Sequence, residues 1–192
     1  MYFEKRQSDR DVSLYFIAVL PNDKLRDQIK GIKERMQTDY GSGHALKSPA
    51  HITLQIPFKR SSTDEVRLAE ALRRFAAAEQ PFSLELNGYG AFAPRVIFLK
   101  IAEPDPVVRL HSHLKKVLLE ELHFNHDEVM NAVQPHITVA TRDLTKEAFN
   151  EAWPEFQNEE FRASFEVNSI FLLKHNGRHW NILEEFPFGR QD

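Results

Sequence analysis

"SPAHITLQIPF", residues 48–58, and "VQPHITVATRD", residues 133–143, decide how this chain is read. Both are β-rich runs with a histidine and a threonine two residues apart: His51 with Thr53, and His136 with Thr138. Side chains two apart on a strand share a face. In the first run, alternation predicts an apolar face of Ile52, Leu54, Ile56 and Phe58 and an opposite face carrying His51 and Thr53. One such tripeptide is ordinary. Two in matching strands need a reason.

Working outward from these runs, the same order of elements surrounds each. "SLYFIAVL" (13–20) is a β-branched and aromatic strand. A turn at Pro21-Asn22 follows, then a helix with apolar residues at Leu25, Ile29, Ile32 and Met36. "YGSGHALKSPA" (40–50) is a loop that delivers the first motif strand. Beyond it, "SSTDE" caps a helix over 63–78, and "FSLELNGYGAF" and "RVIFLKIAE" are strands. "DPVVRLHSHLKKVLLEEL" is helical and precedes the second motif strand, and "TKEAFNEAWPEF" is a short helix stopped near Pro154. "FRASFEVNSIFLLK" and "HWNILEEF" close the chain as strands joined at His175-Asn176-Gly177, a hairpin signal. "YFIAVLPNDKLRDQI" thus corresponds to "IFLKIAEPDPVVRLH", and the pattern is a duplicated βαβαβ unit. It predicts an α+β protein, one compact domain of two similar lobes, about 13–95 and about 96–186, with the motif strands facing across a groove.

Composition narrows the function. The 192 residues are 42% hydrophobic and 28% charged, with no cysteine and a net charge of -3. Neither disulfides nor thiolate chemistry is available. No segment approaches the run of about 18 apolar residues that a membrane span needs, and "MYFEKRQSDRD" lacks the apolar core of a signal peptide. A cytoplasmic monomer is expected. The acidic balance argues against coating long nucleic acids, which takes many lysine and arginine contacts to phosphate. Charge is unevenly spread, however. Residues 40–63, 129–142 and 167–183 contain no Asp or Glu, while Lys47, Lys59, Arg60, Lys174 and Arg178 fall in the first and third of these windows. Converging in space, such windows make a neutral-to-positive cleft suited to a phosphate.

Each motif supplies an imidazole that titrates near neutrality and a hydroxyl that donates without bringing charge. Two such pairs across a cleft can take a proton from an attacking hydroxyl or water and give one to a leaving oxygen. The threonines would hold the non-bridging oxygens. That is the equipment for metal-free transesterification or hydrolysis of a phosphodiester.

"HITL" and "HITV", with the glycine–aromatic hairpin "GYGAFAPRVIFLKI" (88–101) between them, resemble the two-histidine phosphoesterase superfamily and its 2'-5' RNA ligase-like branch. The likeness runs from about Leu14 to Phe186. It implies two antiparallel-rich sheets facing a central cleft with helices outside, and catalysis by His51, Thr53, His136 and Thr138. The implied activity is that of a phosphodiesterase on 2',3'-cyclic phosphate ends of RNA or nucleotides, with reversible 2'-5' ligation and no cofactor. The partner would be a small nucleotide or an RNA end, without a membrane or an extended nucleic-acid track.

Phe58, Phe92 and Trp180 are candidates to stack on a base, Lys174 and Arg178 to contact phosphate, and His44 to sit in a loop beside the site. Two rival readings compete. His111, His113, His123 and His126 could suggest a metal site, although His111 and His113 lie on different faces of the predicted helix and no familiar zinc spacing follows. A catalytically inactive nucleotide-binding module would keep the site for recognition alone.

Overall fold

A computed structural model of the chain describes residues 12–189, so the N-terminal stretch judged for a signal peptide lies outside the described residues. The first unit is β1 (Val12–Val19), α1 (Asp23–Tyr40), β2 (Ile52–Ser61), α2 (Ser62–Ala78) and β3 (Phe82–Phe92). The second is β4 (Val96–Ile101), α3 (Asp105–Glu120), β5 (His136–Ala140), α4 (Lys146–Phe156) and β6 (Arg162–Val167), followed by β7 (Ser169–His175) and β8 (Trp180–Pro187). The duplicated βαβαβ order is therefore present. Two four-stranded antiparallel sheets result, in the orders β2-β1-β7-β8 and β5-β4-β3-β6.

The sheets do not follow the expected division near residue 95. β3 pairs with β4 in the second sheet, and β7 with β8 returns to pair with β1 in the first. A cut at 95/96 falls inside the short β3–β4 connection, whose two strands must pair with each other. The first half lends β3 to the second sheet, and the second half lends β7 and β8 to the first. The apolar run at 161–174 also divides. β6 ends at Val167, Asn168 accepts from the Phe188 amide at 2.7 Å, and β7 starts in the other sheet.

Local chemistry accounts for the helices. Asn22 caps α1 by accepting from the Leu25 amide, and Gly41, at φ +69°, ends it in the left-handed region that glycine tolerates. Ser61 and Thr145 cap α2 and α4 in the same manner. Pro154 does not stop α4, which continues to Phe156 because that side chain is fully buried against Tyr40 and Tyr89. On α1 the buried face is Leu25, Ile29, Lys33 and Met36, with a lysine where Ile32 was expected.

One apolar cluster takes residues from both sheets, including Tyr15, Ile17 and Val19 of β1 and Ile97, Leu99 and Ile101 of β4. The opposite face of the first sheet is narrower. Phe16, Ala18, Leu20, Phe171 and Leu173 pack there against Trp180, and Phe16 and Trp180 line a cavity.

Candidate functional site

β2 departs from plain alternation. Its register with β1 shifts between Tyr15 and Ile17 and again between Ile17 and Ala18. These bulges expose Ile56, which the period-two pattern had placed inside, and bury Gln55 instead. Gln55 then donates to the Glu128 carbonyl at 2.8 Å and accepts from the Met130 amide. The strand of the first motif thereby holds the loop leading to the second.

The two histidines have matching surroundings. His51 Nδ1 lies 2.8 Å from the Pro49 carbonyl, and His136 Nδ1 lies 2.7 Å from the Gln134 carbonyl. A carbonyl only accepts, so each Nδ1 carries the hydrogen and each Nε2 is left to act as a base. Behind each ring lies a phenylalanine from the adjacent strand. Phe16 stands 4.8 Å from His51 with the planes at 47°, and Phe98 stands 4.8 Å from His136 at 49°. The duplication reaches the angle of a ring. Phe98 has room because Gly90 lies beside it; a Cβ there would sit 2.5 Å from the Phe98 ring.

His51, Thr53 and Thr138 line one cavity of about 180 Å³ together with Phe16, Lys47 and Arg142. Thr53 and Thr138 are half-buried, as are both histidines. His136 shares the Thr138 face of β5, two residues away. Burial lowers the His51 imidazole to about 4 against the partial opposition of its Pro49 bond, and the charges of Lys33 and His136 push the same way. Burial also lowers His136. Both rings favour the neutral form at neutral pH. No carboxylate lines the cavity.

The loop before the first motif is fixed from two sides. Lys33 is buried on α1 and donates to the Ala45 and Ser48 carbonyls, both at 3.0 Å, and desolvation brings its ammonium down to about 8. Asp143, just past the second motif, accepts from Ser42 Oγ at 2.9 Å and from the Gly43 and His44 amides at 3.1 and 2.8 Å.

The secondary candidates separate. His44 and Trp180 line the cavity. Phe92 is exposed and edges the His136 ring at 5.2 Å. Arg178 lies outside this cavity, in an adjoining hollow. Phe58 is not at the site. It stays on the apolar face that alternation gives it, packed in the core against Tyr15 and Phe124. Lys174 is also elsewhere, donating to Glu65 at 2.6 Å. The sequence reading missed Arg142, although it falls in the acid-free window four residues past Thr138. It also left Lys47 as a mere charge of its window. The rival histidine cluster is not assembled. His111 is buried, His113 pairs with Glu79 at 2.9 Å, and among the described residues no three His, Cys, Asp or Glu are gathered as metal ligands would be.

The model of the 2'-5' RNA ligase superfamily matches residues 21–179. The chain belongs to that superfamily. A protein of Oceanobacillus iheyensis named "Putative phosphoesterase" is 28% identical over 180 residues, covering 92% of this chain and 98% of its own. One of the same name from Bacillus cytotoxicus is 26% identical, covering 91% and 96%. Among solved structures, TT0787 of Thermus thermophilus aligns with a TM-score of 0.68 at 23% identity, covering 93% of this chain and all of its own. Apo LigT of E. coli aligns at 0.66 and 18%, covering 93% and 99%. The superfamily's fold is thus shared along almost the whole chain. No helix among the described residues is long and apolar enough to cross a membrane.

Proposed function

We propose that this superfamily member is a phosphodiesterase acting on 2',3'-cyclic phosphate ends of RNA or nucleotides, by paired-histidine acid–base catalysis that needs no metal. The observation that carries the reading is the doubled constellation. Two imidazoles have the same Nδ1–H anchor and the same phenylalanine backing, with a threonine beside each. A recognition module has no use for two matched titratable groups. LigT, which shares the fold, has been solved with phosphate and with 3'-AMP, in keeping with a phosphate at this place.

In the proposed reaction His51, the more strongly depressed imidazole, starts neutral and serves as base. It takes a proton from water as the water oxygen attacks phosphorus. One ring P–O bond breaks, and protonated His136 gives its proton to the departing oxygen. Thr53 and Thr138 donate hydrogen bonds to the non-bridging oxygens, where charge accumulates. With a 5'-hydroxyl in place of water and O3' leaving, the same proton transfers yield a 2'-5' linkage, and the reverse step cleaves it. Burial also depresses His136, so its proton is acquired as the phosphate anion binds and favours the charged ring. A chain without cysteine suits a cytoplasmic enzyme, and we take it to act as a monomer.

The test is to incubate purified protein with adenosine 2',3'-cyclic phosphate and with RNA bearing a 2',3'-cyclic end, and to identify products. Conversion to a phosphomonoester is expected. Tight binding of these compounds without conversion would instead favour the inactive module.

A further inference from the structure

Beside the catalytic cavity lies a second hollow of about 580 Å³, and the two share His44, Lys47, Pro57, Arg142 and Trp180. Its remaining wall is Leu14 of β1 and the β7–β8 connection, with His175, Arg178 and His179. No carboxylate lines it. Arg35, Arg60, Arg73, Arg74 and Lys174 each stand within 4.0 Å of a carboxylate, whereas Lys47, Arg142 and Arg178 enter no ion pair among the described residues. Three cations with no carboxylate within 4.0 Å among the described residues thus line one concave surface of an acidic protein.

Their supports are built from both motif regions. Asp143 anchors the segment carrying His44 and Lys47, and it directly follows Arg142 in the chain. Arg142 is held at φ +60° within a tight turn in which the Asp143 amide donates to the Thr141 carbonyl at 2.7 Å. A non-glycine residue is seldom placed there unless its surroundings require it. The β7–β8 turn is ordered by Asn176 Oδ1, which accepts from the Arg178 and His179 amides at 3.0 and 2.8 Å. Trp180 stands between the two hollows, fixed edge-on to Phe16 at 4.7 Å and to His175 at 4.8 Å.

We infer that this hollow is a binding site for a second phosphate of the substrate. The preferred substrate is then a nucleotide carrying one phosphate between the histidines and another beside Lys47, Arg142 and Arg178, and not a nucleoside with the cyclic phosphate alone. Guanidinium and ammonium groups recognise phosphate by charge-assisted hydrogen bonds. Trp180, on the wall common to both hollows, offers a ring face to the nucleoside joining the two phosphates. The second phosphate can be a 5'-terminal monoester or the internucleotide diester of an RNA end; the chemistry read by the hollow is common to both.

The inference rests on the proposed reaction, and its test keeps the two apart. Binding of 3'-AMP, adenosine 3',5'-bisphosphate and a dinucleotide 3'-phosphate is measured by calorimetry on the wild type and on Arg178→Ser. Turnover is measured on adenosine 2',3'-cyclic phosphate with and without a 5'-phosphate, and on a dinucleotide with a cyclic end. The wild type is expected to favour the two-phosphate probes by about 10- to 100-fold, the worth of one or two charged hydrogen bonds. Arg178→Ser should lose most of that preference while binding 3'-AMP as before. Preference for the bisphosphate assigns a terminal phosphate, and preference for the dinucleotide assigns an internucleotide one. Equal binding of 3'-AMP and both two-phosphate probes overturns the site whatever the turnover. Preference without turnover of any cyclic ester refutes the reaction and leaves the site standing.

Discussion

At His51 burial is the larger force, and the Nδ1–H bond to Pro49 opposes it only in part. This has a consequence for stability. The unfolded imidazole binds its proton near 6.5 and the folded one near 4, so between these values the unfolded chain holds more protons. The contribution is fully present above about 6.5 and is lost as pH falls through about 4. Melting temperature against pH should show that loss in the wild type and a flatter curve in His51→Asn. For activity, kcat/KM reports the free enzyme, in which both imidazoles are depressed, so its bell should peak on the acid side of 6.5. The bound phosphate raises the pair, so the kcat bell should lie at higher pH. The limbs belong to the pair and not to either ring. That His51 shares a strand face with Thr53, and His136 with Thr138, was legible in the sequence, because alternation alone puts each pair together. Lys174 was misplaced because sequence cannot show that Glu65 lies beside it.

The elements explain why the histidines are held rather than merely present. Gly90 on β3 leaves space for the Phe98 ring, which backs His136. In Gly90→Ala the new methyl would sit 2.5 and 2.7 Å from ring carbons of Phe98, a clash with a buried side chain. Overpacking of this kind costs about 1–3 kcal/mol. Chemical denaturation should show that loss, with a fall in kcat as His136 is displaced. Asp143→Ala removes three acceptor contacts from residues 42–44. Its expected effect is about 1–2 kcal/mol of lost loop order, read as a several-fold rise in KM and faster amide exchange at Gly43 and His44. The strands and helices themselves were readable from period and caps. The bulges of β2 were not. They depend on how the hydrogen bonds of Gln55 are satisfied by Glu128 and Met130, more than seventy residues away.

For the whole molecule, the exchange of β3 and of β7 with β8 ties the halves into one structure. From α1, Arg35 pairs with Glu155 of α4 and with Glu159 just beyond it, and Tyr40 donates to Glu155 at 2.6 Å. Since one apolar cluster draws on both sheets, unfolding should be a single cooperative step. Trp153, packed on that cluster, and Trp180, at the cleft, report from different places. Urea midpoints from single-tryptophan variants retaining one or the other should coincide with that from circular dichroism. The duplication was visible in the order of elements, but the exchange was not, because strand order in a sheet is set by pairing and not by position along the chain. The central claim is that His51 and His136 together perform the proton transfers. It is tested most directly by the rate of adenosine 2',3'-cyclic phosphate hydrolysis for wild type, His51→Ala and His136→Ala, with and without EDTA. Turnover should survive chelation and fall by about 10²–10⁴-fold in each variant, with unchanged circular dichroism. A folded variant of either histidine with undiminished turnover, or activity abolished by EDTA and restored by a divalent ion, would contradict it.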